Sequence, residues 1–378
     1  MKRKNMIALI LIVLVLIMVI DFQINEESVL EDFFSQFATE SMLELRGSAG
    51  MFPHDEEPLA VRKANFSYTA QDIEDFYLQN EVGSIDIKGN NGDKIIVEYE
   101  INIYAEDKAK AEQYLNQVVI DYAVTKREFE LFTDRPESLP DSVRGVEILF
   151  DIAVPRDIFL DLSNKYGDVN VRDFQSGLVL ESRYTTTKVA SVRGDISINN
   201  DYGTLNLSDL EGKVFVESSY NKNVMQNIEG SLILKTNFTQ NYLKDISANT
   251  ELIGRYGQGD IENLTGELNL DIQYMGLNLD EIDAKIKGSM EYGDVNIESL
   301  NSDLEVSSRY SDLKIWMKKN LRDLNVDVTA RHGSLKSDLD LNTIKENNTY
   351  KVSGIIGQGS VDLIIDAYQA DLELIYEN

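Results

Sequence analysis

Few residues in this chain are equipped for covalent or metal chemistry. It has no cysteine and two histidines, His54 and His332. That excludes disulfides, thiolate metal sites and a cysteine nucleophile, and leaves little room for a His-ligated metal or a Ser-His-Asp arrangement. Carboxylates are abundant, with 65 Asp and Glu against 36 Lys and Arg and a formal net charge of −29. Such a charge opposes nucleic acid, whose binding draws on clustered Lys and Arg. The chemistry open to the carboxylates is acid–base work or cation binding. Asp209 and Asp245 are candidates for the first, and the turn Gly257-Gln258-Gly259-Asp260 for calcium.

The elements that must position these groups follow from a repeat. Tyr166, Tyr184, Tyr202, Tyr220, Phe238, Tyr256, Tyr274, Tyr292 and Tyr310 recur every 18 residues without slippage. The fifth residue after each aromatic is apolar, from Val171, Val189 and Leu207 to Ile315. The eighth is apolar from Phe174 to Leu300, and the tenth is small, as at Ser176, Gly194, Gly212 and Ala284. The twelfth and fourteenth are apolar except at Thr250 and Gly288. Positions 12, 14, 16 and 18 share parity, as in Leu178-x-Leu180-x-Ser182-x-Tyr184, so one strand face points inward and ends on the aromatic. Positions 3 and 5 make a second short strand. Position 7 is Asp, Asn, Ser or Glu throughout, a turn in which a short polar side chain bonds the neighbouring backbone. Strand, turn, strand, turn with equivalent positions stacked predicts an all-β fold, a single-handed parallel β-helix or β-solenoid of 18-residue coils. One coil cannot stand alone: its inward side chains contribute roughly 8–15 kcal/mol on burial, and ordering it costs roughly 20–35 kcal/mol. Stability therefore requires stacking and covered ends.

That frame disposes of most of the candidate chemistry. Asp209 and Asp245 sit two coils apart, about 9.6 Å, near the upper end of the separation in inverting glycosidases, but both occupy the turn position. A polysaccharide hydrolase or lyase is thus the alternative reading, not the favoured one. The Gly257–Asp260 turn lacks the counterparts that a calcium β-roll needs in every coil. A left-handed hexapeptide helix would need apolar residues at position 2, where Asp168, Thr186, Thr204 and Lys222 stand. Arg183, Arg255 and Arg309 precede aromatics and read as partners of neighbouring acids. His332 takes the aromatic position after a four-residue frame shift, so the structural ladder is Tyr166 to Tyr310 plus His332; Tyr350 and Tyr368 keep the interval without its flanking columns and are set aside. No catalytic, metal or cofactor residue is expected.

At the N-terminus, Lys2, Arg3 and Lys4 precede an unbroken apolar run from Met6 to Ile20. The positive flank orients it N-terminus inside, with the bulk outside the cytoplasm. Fifteen helical residues span about 22 Å, short of a hydrocarbon core of about 30 Å, so a cleaved signal peptide is the alternative. The residues after Ile20 offer no small-x-small site, which favours an uncleaved transmembrane helix. The expected organisation is a cytoplasmic tip and anchor at 1–22, an acidic tether at 23–65, N-terminal coils and cap at 66–165, regular repeats at 166–317 and irregular C-terminal coils at 318–378. The cap holds a helical insertion at Asp107–Ile120, and Leu30, Phe33, Phe34 and Phe37 in the tether have helical spacing.

The Tyr-Gly-Asp-Val pattern (Tyr166–Val169, Tyr292–Val295), the Asp-Leu-x-Gly-x-Val pattern (Asp209–Val214) and the ending Val352-Ser353-Gly354-Ile355-Ile356-Gly357-Gln358-Gly359-Ser360-Val361 resemble the bacterial DUF4097 family of adhesin-like, membrane-anchored strand-repeat proteins. The resemblance spans roughly residues 75–378. It implies right-handed coils, an envelope location and no enzymatic activity, and it supplies no functional residues; the segment Asp107–Pro140 departs from its plain repeat. The expectation is a non-enzymatic, single-pass, extracytoplasmic binding or scaffolding protein, possible as an accessory to envelope stress. Its partners are the membrane and an unidentified envelope protein or glycan, with no nucleic acid. End-to-end polymerisation is a further alternative.

Overall fold

The computed structural model of the protein describes residues 57–318 and 321–376. The expected anchor, His54 and most of the tether lie outside the described residues. No helix among the described residues is long and apolar enough to cross a membrane. The described residues are nearly all β, with one helix.

The N-terminal part contains β1 (Ala60–Thr69), β2 (Asp75–Val82), β3 (Ile85–Asn90), β4 (Lys94–Ala105), α1 (Lys108–Leu115), β5 (Val119–Thr125), β6 (Glu128–Asp134) and β7 (Val143–Pro155). The middle runs through β8 (Phe159–Phe174), β9 (Leu178–Arg183), β10 (Thr185–Arg193), the extended stretch β11 (Ile196–Glu291), β12 (Val295–Leu300), β13 (Leu304–Arg309) and β14 (Leu313–Met317). The C-terminal part holds β15 (Leu324–Arg331), β16 (Leu335–Ser337), β17 (Thr343–Glu346), β18 (Thr349–Ile356), β19 (Val361–Tyr368) and β20 (Leu372–Tyr376).

Laid straight, β11 alone would reach about 300 Å. Instead it bends wherever a residue adopts left-handed backbone. Each 18-residue unit has two such non-glycine residues: the aromatic (φ 53–57° from Tyr184 to Tyr310) and the polar residue seven further on (φ 53–67° from Asp173 to Ser299). Glycine at position 10 adds a third positive-φ corner at Gly194, Gly212, Gly230 and Gly266. The chain consequently returns on itself once per unit. Residues 18 apart pair in parallel, as in Val171↔Val189, Leu178↔Ile196, Val189↔Leu207, Leu277↔Val295 and Ile286↔Leu304. Val171, Val189, Leu207, Met225, Leu243, Ile261, Leu279, Ile297 and Ile315 are all buried, so the apolar column at position 5 forms one line of the core.

Both ends abandon sequence order. The β2–β3 layer lies between the first regular layer and a later-arriving one: β2 pairs in parallel with β8 on one side and β6 on the other, and β3 with β8 and β7. The other end mirrors this. β19 pairs in parallel with both β13 and β15, and β20 with both β14 and β16, so the last strands of the chain slide beneath residues 324–337. Beyond these inserted layers the pairing turns antiparallel, through β7–β4–β1 and β6–β5 at one end and β15–β18–β17 at the other. Of the outermost strands, β17 is four residues long and carries Lys345 and Glu346, and β1 carries Arg62 and Lys63, which blunts these two against strand addition.

Three expectations need correction. Strand structure begins at Ala60, inside the segment read as tether. The helical insertion is shorter than Asp107–Ile120: Asp107 caps α1 by accepting the Lys110 N–H at 2.9 Å, Ala111 and Tyr114 are buried, and β5 already starts at Val119. The aromatic does not end an inward strand face. Its left-handed φ turns the chain at that residue, and the ring sits on an outer corner.

Candidate functional site

The largest ordered feature is the corner where the aromatics lie. From Tyr166 to Tyr310 consecutive rings stack with centroids 4.6–5.2 Å apart and planes within 20° of parallel. Left-handed backbone costs an aromatic residue about 1–3 kcal/mol, because it lacks the local hydrogen bond that lets Asn or Asp tolerate it. Two neighbouring stacking contacts of about 0.5–1.5 kcal/mol each offset that cost. Tyr220, Tyr256, Tyr274, Tyr292 and Tyr310 remain near half exposed, 47% at Tyr220 and 40% at Tyr310, and the other four are partly buried. Face-to-face stacking turns their edges, not their faces, to solvent, so the row is no platform for a sugar ring to lie on. Arg183 spans two of them, 5.3 Å from the Tyr184 centroid and 5.5 Å from that of Tyr202. Arg255 pairs with Asp271 at 3.1 Å and Arg309 with Glu291 at 3.8 Å, the role expected of all three, whereas Arg183 lies over the rings and pairs with no acid among the described residues.

The ladder does not run directly from Tyr310 to His332. Tyr368, set aside in the sequence reading, stands between them, edge-on to Tyr310 at 6.1 Å and to His332 at 5.5 Å. His332 keeps the left-handed corner (φ 59°), but the inserted strand β19 separates it from the stack. Only the order of layers could have revealed this, and spacing does not encode it.

Behind the corner lies a buried polar track that the repeat analysis missed. Asn200 donates to Ser182 and, at 3.1 and 3.3 Å, to the hydroxyls of Thr185 and Thr187; Asn221 in turn donates to the Asn200 side chain. Asn223 donates to Ser218 Oγ and Asn241 Oδ1, both at 2.8 Å, and Asn241 to Thr239 at 2.9 Å. Asn200, Asn223 and Asn241 are no more than 1% exposed, so each bond is made where water cannot substitute. The signal was present: Ser182, Asn200, Ser218 and Thr236 all fall on inward position 16. Past Thr236 the same position becomes Gly254, Ile272 and Met290, and Met275 fills the space, because a Cβ at Gly254 would lie 2.2 Å from its sulfur.

The turn carboxylates are internally engaged. Asp209 accepts from Asn227 at 2.9 Å and Asp245 from Asn263 at 2.6 Å. Acid and neutral residues alternate along this row (Asp173, Ser191, Asp209, Asn227, Asp245, Asn263, Glu281, Ser299), so no two charges stack one layer apart. Asp209 and Asp245 therefore act as acceptors in a ladder. Among the described residues no group of three or more His, Asp or Glu could hold a metal ion.

An open groove of about 750 Å³ lies at the N-terminal end, with Tyr77, Gln79, Glu81, Glu130, Arg135 and Asp161 on its walls. Burial, then the Glu181 charge, raises the Asp161 carboxyl above its ordinary value. Burial, then the charges of Asp75, Glu128 and Asp161, raises the Tyr77 phenol. Arg135 bonds Glu81, and Lys165 lies 4.0 Å from it, so the groove's cations are occupied by its own acids.

No family model matches the chain, and no curated protein matches it. It is similar to a solved structure described as a "putative cell adhesion protein" from Clostridium sporogenes, at 12% identity over 84% of this chain and 100% of that one, with a TM-score of 0.21.

Proposed function

We propose that the chain is a right-handed parallel β-solenoid of the DUF4097 type, anchored by residues 6–20 with its N-terminus inside, that works as a non-enzymatic binding or scaffolding column outside the cytoplasmic membrane. The parallel pairing of residue i with i+18 and the continuous ring stack support the architecture. The acidic balance and the basic flank before Met6 support the placement. One observation carries the binding reading above the polysaccharide-cleaving one: Asp209 and Asp245 are both taken up by amides of the adjacent layer, and acid alternates with neutral residue along their row. A rigid column with engaged carboxylates offers surfaces, not a reacting pair.

The absence of cysteine makes the test clean. A single cysteine replacing exposed Lys188 is expected to react with a membrane-impermeant maleimide on intact cells. Labelling only after lysis overturns the placement. Release of reducing ends from polysaccharide that is lost in Asp209→Asn or Asp245→Asn overturns the non-enzymatic reading.

A further inference from the structure

The charge of this protein is distributed unevenly around the column. The strand face that follows the aromatic in four consecutive layers (residues 184–190, 202–208, 220–226 and 238–244) contains no Asp or Glu, in a chain with 65 of them, and the next layer closes it with Asp260 and Glu262. Inside and outside alternate strictly along it: Thr187, Val189, Leu205, Leu207, Asn223 and Met225 are buried, while Thr186, Lys188, Lys222 and Gln226 are exposed. The outward side chains, chiefly hydroxyls, amides and lysines, form a face four layers tall, about 14 Å between first and last at the ordinary strand spacing.

Most of the hydrogen-bonding capacity of this face is unused, Gln226 alone among its outward amides donating to a neighbouring acid, Asp245, at 3.5 Å. In the layers above, the same row is closed internally: Asn278 donates to Asp260 at 2.8 Å and Asn296 to Asn278 at 3.0 Å. Below, Asn170 donates to Asp86 at 3.0 Å. Between them, the side chains of Thr186, Thr204, Asn206 and Gln240 make no hydrogen bond to the protein among the described residues. Lys222 lies 5.1 Å from the Tyr242 centroid and Lys244 is paired to Glu262 at 2.7 Å, so most of the positive charge is also committed.

We infer that this face binds a neutral glycan chain lying along the column. The inference rests on the binding reading above and names its ligand class. Uncharged donors and acceptors repeated layer by layer complement a chain of hydroxyls, and the phenol edges of Tyr202 and Tyr220 border it. A polyanion would meet the repulsion of net charge −29. A cationic partner would find its complement on the acid-rich sides instead. A protein partner would need an apolar centre, and this face offers only Val224, Ala190 and the Tyr242 ring, which has the Lys222 ammonium 5.1 Å from its centroid.

The test titrates the full chain, held in a polyoxyethylene detergent free of sugar, with cellohexaose, chitohexaose and mannohexaose, and with heparin as the polyanion. At least one neutral hexasaccharide is expected to bind. The pair Asn206→Ala/Gln240→Ala should weaken it about tenfold or more, while Asn199→Ala/Asn249→Ala on the opposite face leaves it unchanged. A wild-type chain photo-crosslinked to a diazirine-bearing form of the bound sugar should carry its adducts within residues 184–190, 202–208, 220–226 and 238–244, a readout independent of variant folding. Binding of no neutral hexasaccharide, preference for heparin, equal effects of the two pairs, or adducts elsewhere overturns the inference. Because labelling on intact cells is separate, its failure would reject the placement without touching this result, and the reverse holds equally.

Discussion

The middle of the molecule and its two ends solve the same problem in opposite ways. From Tyr166 to Tyr310 the next unit in sequence is the next layer in space, and each layer contributes one ring, one turn acid, amide or hydroxyl and nearly the same apolar positions. At the ends a layer from elsewhere in the chain is slid in, and antiparallel strands close over it. A regular stack exposes two open edges, each a template for another chain. Continuing the repeat would only move the edge outward. Inserting β19–β20 out of order ties the chain's last residues under 324–337, and the antiparallel strands then finish the column with short, charged borders. The middle is thus built for propagation and the ends for termination.

Breaking the C-terminal end should have the largest effect. Deleting residues 361–378 removes Leu363, Ile365, Leu372 and Leu374, all no more than 1% exposed, a loss of about 6–12 kcal/mol of burial. It also bares the β13 and β14 edges. The expected outcome is loss of cooperative thermal unfolding together with concentration-dependent assembly in light scattering; a folded monomer would mean that the inserted layer is dispensable.

Within the middle, Asn200→Ala strips partners from Ser182, Thr185, Thr187 and Asn221 at once and should cost about 2–4 kcal/mol in denaturant unfolding. A change below 0.5 kcal/mol would show that the interior polar track is not what ties these layers. Tyr220→Ala removes two stacking contacts, 4.8 and 5.0 Å, and leaves alanine in left-handed backbone. We expect a loss of about 1–3 kcal/mol, whereas Tyr220→Phe should be near neutral, since Phe238 already serves in the stack.

The smallest effect sharpens the electrostatics. Asp161 has a carboxyl raised by burial and by Glu181, so the folded state holds its proton more readily than the unfolded chain. Its ionised form weakens folding: stability contributed at low pH is lost as pH rises from the ordinary value of 3.8 through the raised folded one. Asp161→Asn should therefore gain stability at pH 7 and lose that gain below about pH 4. A gain that persists unchanged at pH 3 would contradict this origin.

How much of this could be read from sequence follows the same division. The 18-residue interval, the apolar columns and the turn at position 7 were legible, because identical environments stacked on one another select identical residues. The core and the interacting faces of the middle follow from them. The corner role of the aromatics was not legible, since parity counting assumes extended backbone and Tyr184 to Tyr310 leave it. Tyr368 keeps the 18-residue interval from Tyr350 without its flanking columns, because an inserted strand meets its neighbours 59 residues earlier and 37 residues earlier, as in Val306↔Ile365 and Val328↔Ile365. The acid-free face was written in the sequence throughout, but it stands out only once the layers of residues 184–244 are laid beside one another.

The column itself is tested most directly by distances between spin-label pairs on its outer face. With one label at Lys188 and the other at Asp260, Asn296 or Lys314, four, six and seven layers away, separations between attachment points should grow in proportion, near 19, 29 and about 34 Å at roughly 4.8 Å per layer. Distances that fail to increase with layer number, or that scatter independently of it, would contradict a single continuous stack.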